Sequence, residues 1–127
     1  MLLLDTHLIL WAAFEPDRLS AKAAKQLRSR ETPLAFSLAS LWEVAIKSSL
    51  GRSDFVVDCQ VLHQALLAQG FIELPIQAAH ISRVSTLPWV HRDPFDRLLV
   101  AQAMVGGLSL LTVDSTLKGY GRFVRLV

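Results

Sequence analysis

Two apolar runs in this chain, Met1-Leu2-Leu3-Leu4 and Leu108 to Val113, each stop at an aspartate, Asp5 and Asp114. Runs this short and apolar suit strands buried on both faces of a parallel sheet, with helix-length segments between them. Such a fold sets both carboxylates beside the core, where a charge is costly unless something neutralises it. Glu43 lies inside the largely apolar segment Ser40-Leu41-Trp42-Glu43-Val44-Ala45-Ile46-Lys47, and Asp96 lies in His91-Arg92-Asp93-Pro94-Phe95-Asp96-Arg97. Two carboxylates about 5 Å apart repel by roughly 3 kcal/mol at an effective dielectric near 20. If Asp5, Glu43, Asp96 and Asp114 converge, a divalent cation accounts for them, and hard oxygen donors suit Mg²⁺ or Mn²⁺.

The rest of the chain alternates in the same way. Thr6 to Phe14 reads as a short helix stopped near Glu15-Pro16, and Ser20 caps a helix from Ala21 to about Arg30. Lys22, Lys25, Arg28 and Arg30 populate its solvent side. Leu34 to Ser37 reads as a second strand, followed by a helix from about Ser40 to Ser49 that Gly51 ends. Asp58 caps a helix through Ala68 with Gly70 as its stop, and Phe71 to Leu74 is a third strand closed by Pro75. Residues 76–86 suggest a short helix. Pro94 opens a longer one to Val105, ended by Gly106-Gly107. Leu108 to Val113 is the fourth strand and Phe123 to Val127 a short fifth. The alternation predicts one α/β domain over residues 1–127, with a mainly parallel sheet between helices. The connection from Asp114 to Arg122 is short for a helix-bearing parallel crossover.

At 127 residues, 52% hydrophobic and 19% charged, the chain suits one packed core and excludes a disordered tail. A net charge of +2 is compatible with a polyanionic partner but singles none out. The lone Cys59 excludes an intramolecular disulfide and a multi-cysteine zinc site, and reads as a small buried hydrophobe. Asp5 interrupts what would be a secretory core, with no basic residue before it. The most apolar stretch, Leu98 to Val113, contains Gln102, Gly106 and Gly107 and is short for a membrane span. The expectation is a cytoplasmic protein with no membrane segment.

Each acid also has a plainer role. An aspartate after a strand serves as a helix cap or turn residue, and Glu43 has Lys47 as an i,i+4 partner. Asp93, just before Pro94, suits the cap of the last long helix. Asp96 is then one turn inside and free to face the site, with Arg97 available to Asp93. Thr6 and Thr112 adjoin the acids and can hydrogen-bond a ligand carboxylate, a water or a phosphate; capping or β-propensity is the alternative. His7, His63, His80 and His91 lack the spacing of a histidine metal site, so surface or packing roles are expected even for His7 and His91. No serine or cysteine has a nucleophile-elbow context, and no glycine-rich phosphate loop is present.

Taken in order, Leu-Leu-Asp5-Thr-His, Ser-Leu-Trp-Glu43-Val-Ala-Ile-Lys47, His-Arg-Asp93-Pro-Phe-Asp96-Arg and Leu-Leu-Thr112-Val-Asp114 resemble the motifs of PIN-domain ribonucleases. They are most similar to the VapC-type toxins of bacterial toxin–antitoxin pairs, and the likeness spans essentially the whole chain. The resemblance implies a five-stranded parallel sheet, a homodimer, and inhibition by a VapB-like antitoxin. It implies that Asp5, Glu43, Asp96 and Asp114 form an acidic pocket for Mg²⁺, with Mn²⁺ as a substitute, and that a metal-activated water hydrolyses RNA to a 5′-phosphate and a 3′-hydroxyl. Asp93, Thr6 and Thr112 would stand behind that pocket. Lys47, Arg52, Arg92 and Arg97 are candidates to hold the RNA backbone, or are ordinary surface charges. A phosphohydrolase with an aspartyl nucleophile would want a second aspartate where His7 stands, and a phosphorelay receiver would want a lysine that Thr112-Val113-Asp114 does not offer. A non-catalytic α/β interaction module is the remaining alternative.

Overall fold

The computed structural model describes every residue, Met1–Val127. Five strands, β1 (Leu2–Leu4), β2 (Leu34–Ser37), β3 (Ile72–Leu74), β4 (Ser109–Thr112) and β5 (Val124–Leu126), form one sheet in the order β3-β2-β1-β4-β5. Every neighbouring pair is parallel. The all-leucine β1 takes the centre because it has no polar face to offer water. Leu2, Leu3 and Leu4 pair in register with Ser109, Leu110 and Leu111 of β4.

Alternation along the strands divides the core into two clusters, one on each face of the sheet. Leu2 and Leu4 point to one face with Leu34, Phe36 and Leu111. There they meet Leu8 and Ile9 of α1 (Thr6–Phe14), Ala23 of α2 (Ala21–Ser29), and Leu62 and Leu66 of α4 (Cys59–Ala68). Leu3 points to the other face with Ala35, Leu110 and Val124, against Leu99, Val100 and Ala103 of α6 (Pro94–Gly106). Of the two remaining helices, α3 (Leu38–Ser49) contributes Leu41 and Val44 to the first cluster and Ala39 to the second, while α5 (Ala78–Val84) packs its Val84 against the second.

The helix boundaries follow from their caps. Ser20, Asp58 and Asp93 each accept backbone N–H groups at the starts of α2, α4 and α6, as the sequence suggests. Helix α6 closes on Gly107 at φ 64°, a left-handed conformation that costs glycine nothing. Helix α3 starts earlier than expected, at Leu38, because Ser37 ends β2 and also caps the helix by accepting from Ala39 N–H at 2.9 Å. Cys59 is only half-buried, with Sγ 3.4 Å from the Leu41 carbonyl.

The short final crossover is made by a 3₁₀ helix, Ser115–Tyr120. Six residues rising about 2.0 Å each cover roughly 12 Å, close to the length of a four-residue strand. An α-helix of the same residues covers only about 9 Å. Short strands are what allow so short a parallel connection.

From β1 the chain winds outward to β2 and β3, then returns to β4 on the other side of β1 and continues to β5. The winding reverses between β1 and β4, so a crevice opens beyond their carboxyl ends. Asp5 and Asp114 stand at that opening. No helix is long and apolar enough to cross a membrane.

Candidate active site

Asp5 follows β1 and caps α1. Its Oδ1 accepts from Leu8 N–H at 2.9 Å, and its backbone N–H donates to Leu111 O at 3.0 Å. Its Oδ2 accepts from the Thr112 hydroxyl at the end of β4. The side chain is buried, and that burial pushes the carboxyl up from its ordinary range despite the hydrogen bonds from Thr112 and Leu8. Asp5 is therefore both the cap expected of a strand-end aspartate and a buried, costly charge.

Thr6, next along, ties α1 to α3. Its Oγ1 lies 2.7 Å from Glu43 Oε1 and 2.9 Å from Ser40 Oγ. Its single proton serves the carboxylate, so Ser40 donates in turn. Glu43 is buried at 5% exposure, and its Oε2 pairs with Lys47 Nζ at 2.8 Å. The i,i+4 ion pair is real, yet it does not remove Glu43 from the group: Glu43 is one of the charges that raise Asp96.

Asp93 caps α6 by accepting from Phe95 and Asp96 N–H at 2.8 and 3.0 Å. Asp96 is thereby set one turn inside the helix. Its carboxyl is pushed up to about 7, first by burial and then by the negative charges of Asp93, Glu43 and Asp5. That electrostatic reach joins acids from β1, α3 and α6 into one cluster.

Asp114 caps the 3₁₀ helix through Thr116 N–H at 2.9 Å, and its own N–H donates to Thr112 Oγ1 at 3.0 Å. Burial works against its charge, but hydrogen bonds from Thr116 and His91 outweigh it and hold the carboxyl below the ordinary range. Thr6 and Thr112 thus each hydrogen-bond a carboxylate of the cluster.

Two expectations need correction. His91 is not a surface or packing residue: its Nε2 lies 2.9 Å from Asp114 Oδ2 and 3.6 Å from Asp96 Oδ2. Arg97 neither pairs with Asp93 nor faces solvent. It is 4% exposed, donates to the carbonyls of Pro88, Val84, Leu87 and His91 and to the Tyr120 hydroxyl, and stacks 4.0 Å from the Trp89 ring centroid. It cannot hold RNA. Arg52 is paired with Asp54 through two nitrogens at 3.1 and 2.9 Å, at the surface. Of the proposed backbone-holding cations, Lys47 remains nearest the acids, beside a cleft of about 440 Å³ lined by Thr6, His7, Trp11, Phe14 and Arg18.

The donor set fits a divalent cation. It is made of carboxylate oxygens, two of its acids are raised by burial, and one lysine is its paired cation. Ligand-type atoms of His91, Asp96 and Asp114 lie within 4.8 Å of one another.

A parallel α/β sheet with acids at its central switch point places this chain among the open α/β folds that bind ligands beyond the carboxyl ends of their strands. The PIN domain model matches residues 2–122, and the chain belongs to the PIN-domain family. It is 31% identical over 122 residues to Ribonuclease VapC22 of Mycobacterium tuberculosis, which covers 93% of this chain and 90% of that protein. In fold it is similar to VapBC2 from Rickettsia felis bound to a promoter DNA fragment, with a TM-score of 0.69 at 16% identity, covering 99% of this chain and 96% of that one. A toxin–antitoxin complex from Klebsiella pneumoniae gives a TM-score of 0.66 at 17% identity over 100% and 96% of the two chains. FitAcB from Neisseria gonorrhoeae gives 0.59 at 20% identity over 91% and 89%.

Proposed function

We propose that this protein is a Mg²⁺-dependent endoribonuclease, with Mn²⁺ as a substitute, acting in the cytoplasm as the toxin of a toxin–antitoxin pair. In this reading Asp5, Glu43, Asp96 and Asp114 hold the cation, and Asp93, Thr6 and Thr112 support them. The observation that carries it is the gathering of these acids from β1, α3, α6 and the end of β4 at the switch point of a PIN fold. The likeness to a ribonuclease, together with fold neighbours solved as toxin–antitoxin complexes, supports RNA as substrate and a VapB-like antitoxin as partner, and membership of the PIN family implies a homodimer as the working form.

A divalent cation, when bound, polarises a phosphodiester and acidifies water, which removes the need for a histidine base or a covalent intermediate. The chain's own residues do the rest. Thr112 and Leu8 N–H fix the Asp5 carboxylate, while Thr6 and Lys47 fix Glu43 from opposite sides. Asp93 turns Asp96 inward by capping the helix that carries it. The Asp5 and Glu43 carboxylates, so anchored, cost little reorganisation when a cation arrives, which is the basis of electrostatic preorganisation.

The test is cleavage of RNA with Mg²⁺ by wild type, Asp5→Asn and Asp96→Asn, with 5′-phosphate ends sought in the products. Both variants should be folded and inactive, and EDTA should silence the wild type until Mg²⁺ or Mn²⁺ is restored. Full activity in either folded variant, or cleavage indifferent to chelation, refutes the assignment.

A further inference from the structure

His91 reaches the acids from the segment between α5 and α6, and the structure holds it on every side. Its backbone N–H donates to the Tyr120 hydroxyl at 3.1 Å, and its carbonyl accepts from Arg97 and from Tyr120 at 3.4 Å each. Arg97 is itself buried and gathers the carbonyls of Val84, Leu87 and Pro88 from the same segment. The 3₁₀ helix can close on this segment because residue 119 is glycine: a Cβ there would stand 2.6 Å from Val90 Cγ1.

The ring is fixed as firmly as the backbone. His91 Nδ1 accepts from Asp93 N–H at 3.0 Å. A backbone amide only donates, so Nδ1 presents its lone pair and the ring proton stands on Nε2. That proton goes to Asp114 Oδ2 at 2.9 Å; Asp96 Oδ2, at 3.6 Å, lies beyond hydrogen-bond range. Imidazole binds a metal through a lone pair, and here the only lone pair is spent on Asp93. Asp93 therefore caps α6 with its side chain and sets the His91 tautomer with its N–H.

We infer that His91 is a positioning residue and not a cation ligand: its Nε2–H fixes the Asp114 carboxylate beside Asp96 and so sets how tightly the acidic cluster takes a divalent cation. The inference rests on the metal-site reading above for the identity of the ion. It adds a residue outside the acidic set. It also distinguishes a tethered acid, Asp114, from Asp96, whose carboxylate has only the 3.6 Å approach of His91 beside it.

Two measurements on the full chain test it. Long-range ¹H–¹⁵N correlation of the imidazoles reports which nitrogen carries the proton, with the His91 signals identified by their absence in His91→Gln. The Nε2 proton should be present without metal and persist under saturating Mg²⁺; its loss on adding Mg²⁺ makes His91 a ligand and overturns the inference. The second is Mn²⁺ affinity, read from the free-ion electron paramagnetic signal. His91→Ala should bind about 10- to 100-fold more weakly, as for other groups that orient metal-binding carboxylates. His91→Gln, whose amide can donate from nearly the same place, should stay within a few-fold of wild type. A glutamine variant as weak as the alanine one, or an alanine variant as tight as wild type, overturns the donor role. If His91→Ala does not fold, the glutamine variant and the ring proton still decide. Wild type that takes up no Mn²⁺ overturns the metal-site reading itself, and is told apart because failure of the His91 role leaves wild-type binding intact.

Discussion

Thr112 donates its hydroxyl proton to Asp5 across 107 residues of sequence, locking the end of β4 to the carboxylate that follows β1. The same oxygen accepts the Asp114 N–H, so one threonine orients two acids of the cluster. The two strands are neighbours, and the crevice between their ends brings residues so far apart in sequence to one place where they can share a ligand.

Thr112→Val keeps the shape and removes the hydroxyl. Asp5 is 3% exposed, so its Oδ2 is left without that donor in a place water barely reaches. The variant should lose about 1–3 kcal/mol of stability at neutral pH, the usual cost of an orphaned buried polar group. Urea unfolding checks this, and a change within error of zero would mean that solvent replaces the hydroxyl.

Asp96 makes the metal-free protein sensitive to pH in an unusual direction. Its folded carboxyl holds a proton up to about 7, whereas the unfolded chain releases it near 3.8. The folded state therefore binds the extra proton between those values, and stability falls as pH rises through that window. The contribution is greatest below 3.8 and gone above about 7. Asp5 is raised as well and acts in the same direction. Asp96→Asn should flatten the decline, so the gap between variant and wild type in urea midpoint should widen from pH 5 to pH 8. A gap that stays constant or narrows contradicts the shift.

Much of this was legible in the sequence because it depends on local rules. An apolar run closed by aspartate marks a buried strand and a cap together, which is how Asp5 and Asp114 could be set at strand ends. Asp93 before Pro94 marked the start of α6 and, by helix phase, turned Asp96 inward. The role of His91 was not legible, because spacing rules find histidines that share a helix, and His91 is delivered by tertiary contacts with Arg97 and Tyr120. Arg97 misled for a related reason. Its i,i+4 relation to Asp93 is favourable on an isolated helix, but the segments packed against α6 offered its guanidinium five acceptors, four carbonyls and the Tyr120 hydroxyl.

Cation binding should appear as thermal stabilisation. An ion that binds only the folded state at 100 times its Kd adds about 2.7 kcal/mol, roughly a 10 °C rise in Tm for a chain of this size. The rise should be larger at pH 8 than at pH 5.5, where protons compete for Asp96 and Asp5. Differential scanning fluorimetry with millimolar Mg²⁺ or Mn²⁺ measures it, with Asp96→Asn as the control that should lose most of the shift. No shift in wild type would favour the non-catalytic interaction module.

Arg97 offers the sharpest mechanical test of how the site is held. Its buried guanidinium satisfies four carbonyls and the Tyr120 hydroxyl, and the planar fork is what lets one side chain reach them all. Arg97→Met leaves several of these acceptors unpaired at about 1–3 kcal/mol each, so the variant should be unfolded or close to it. Arg97→Lys retains the charge with three donors and should fold with a lower urea midpoint. It should also release the segment carrying Trp89, whose ring the guanidinium covers at 4.0 Å. Trp89 is already 79% exposed, so the readout is its mobility: its fluorescence anisotropy, isolated in a background with Trp11 and Trp42 changed to Phe, should then fall. Unchanged anisotropy in a folded Arg97→Lys protein would show that the clamp on residues 84–91 does not depend on the fork.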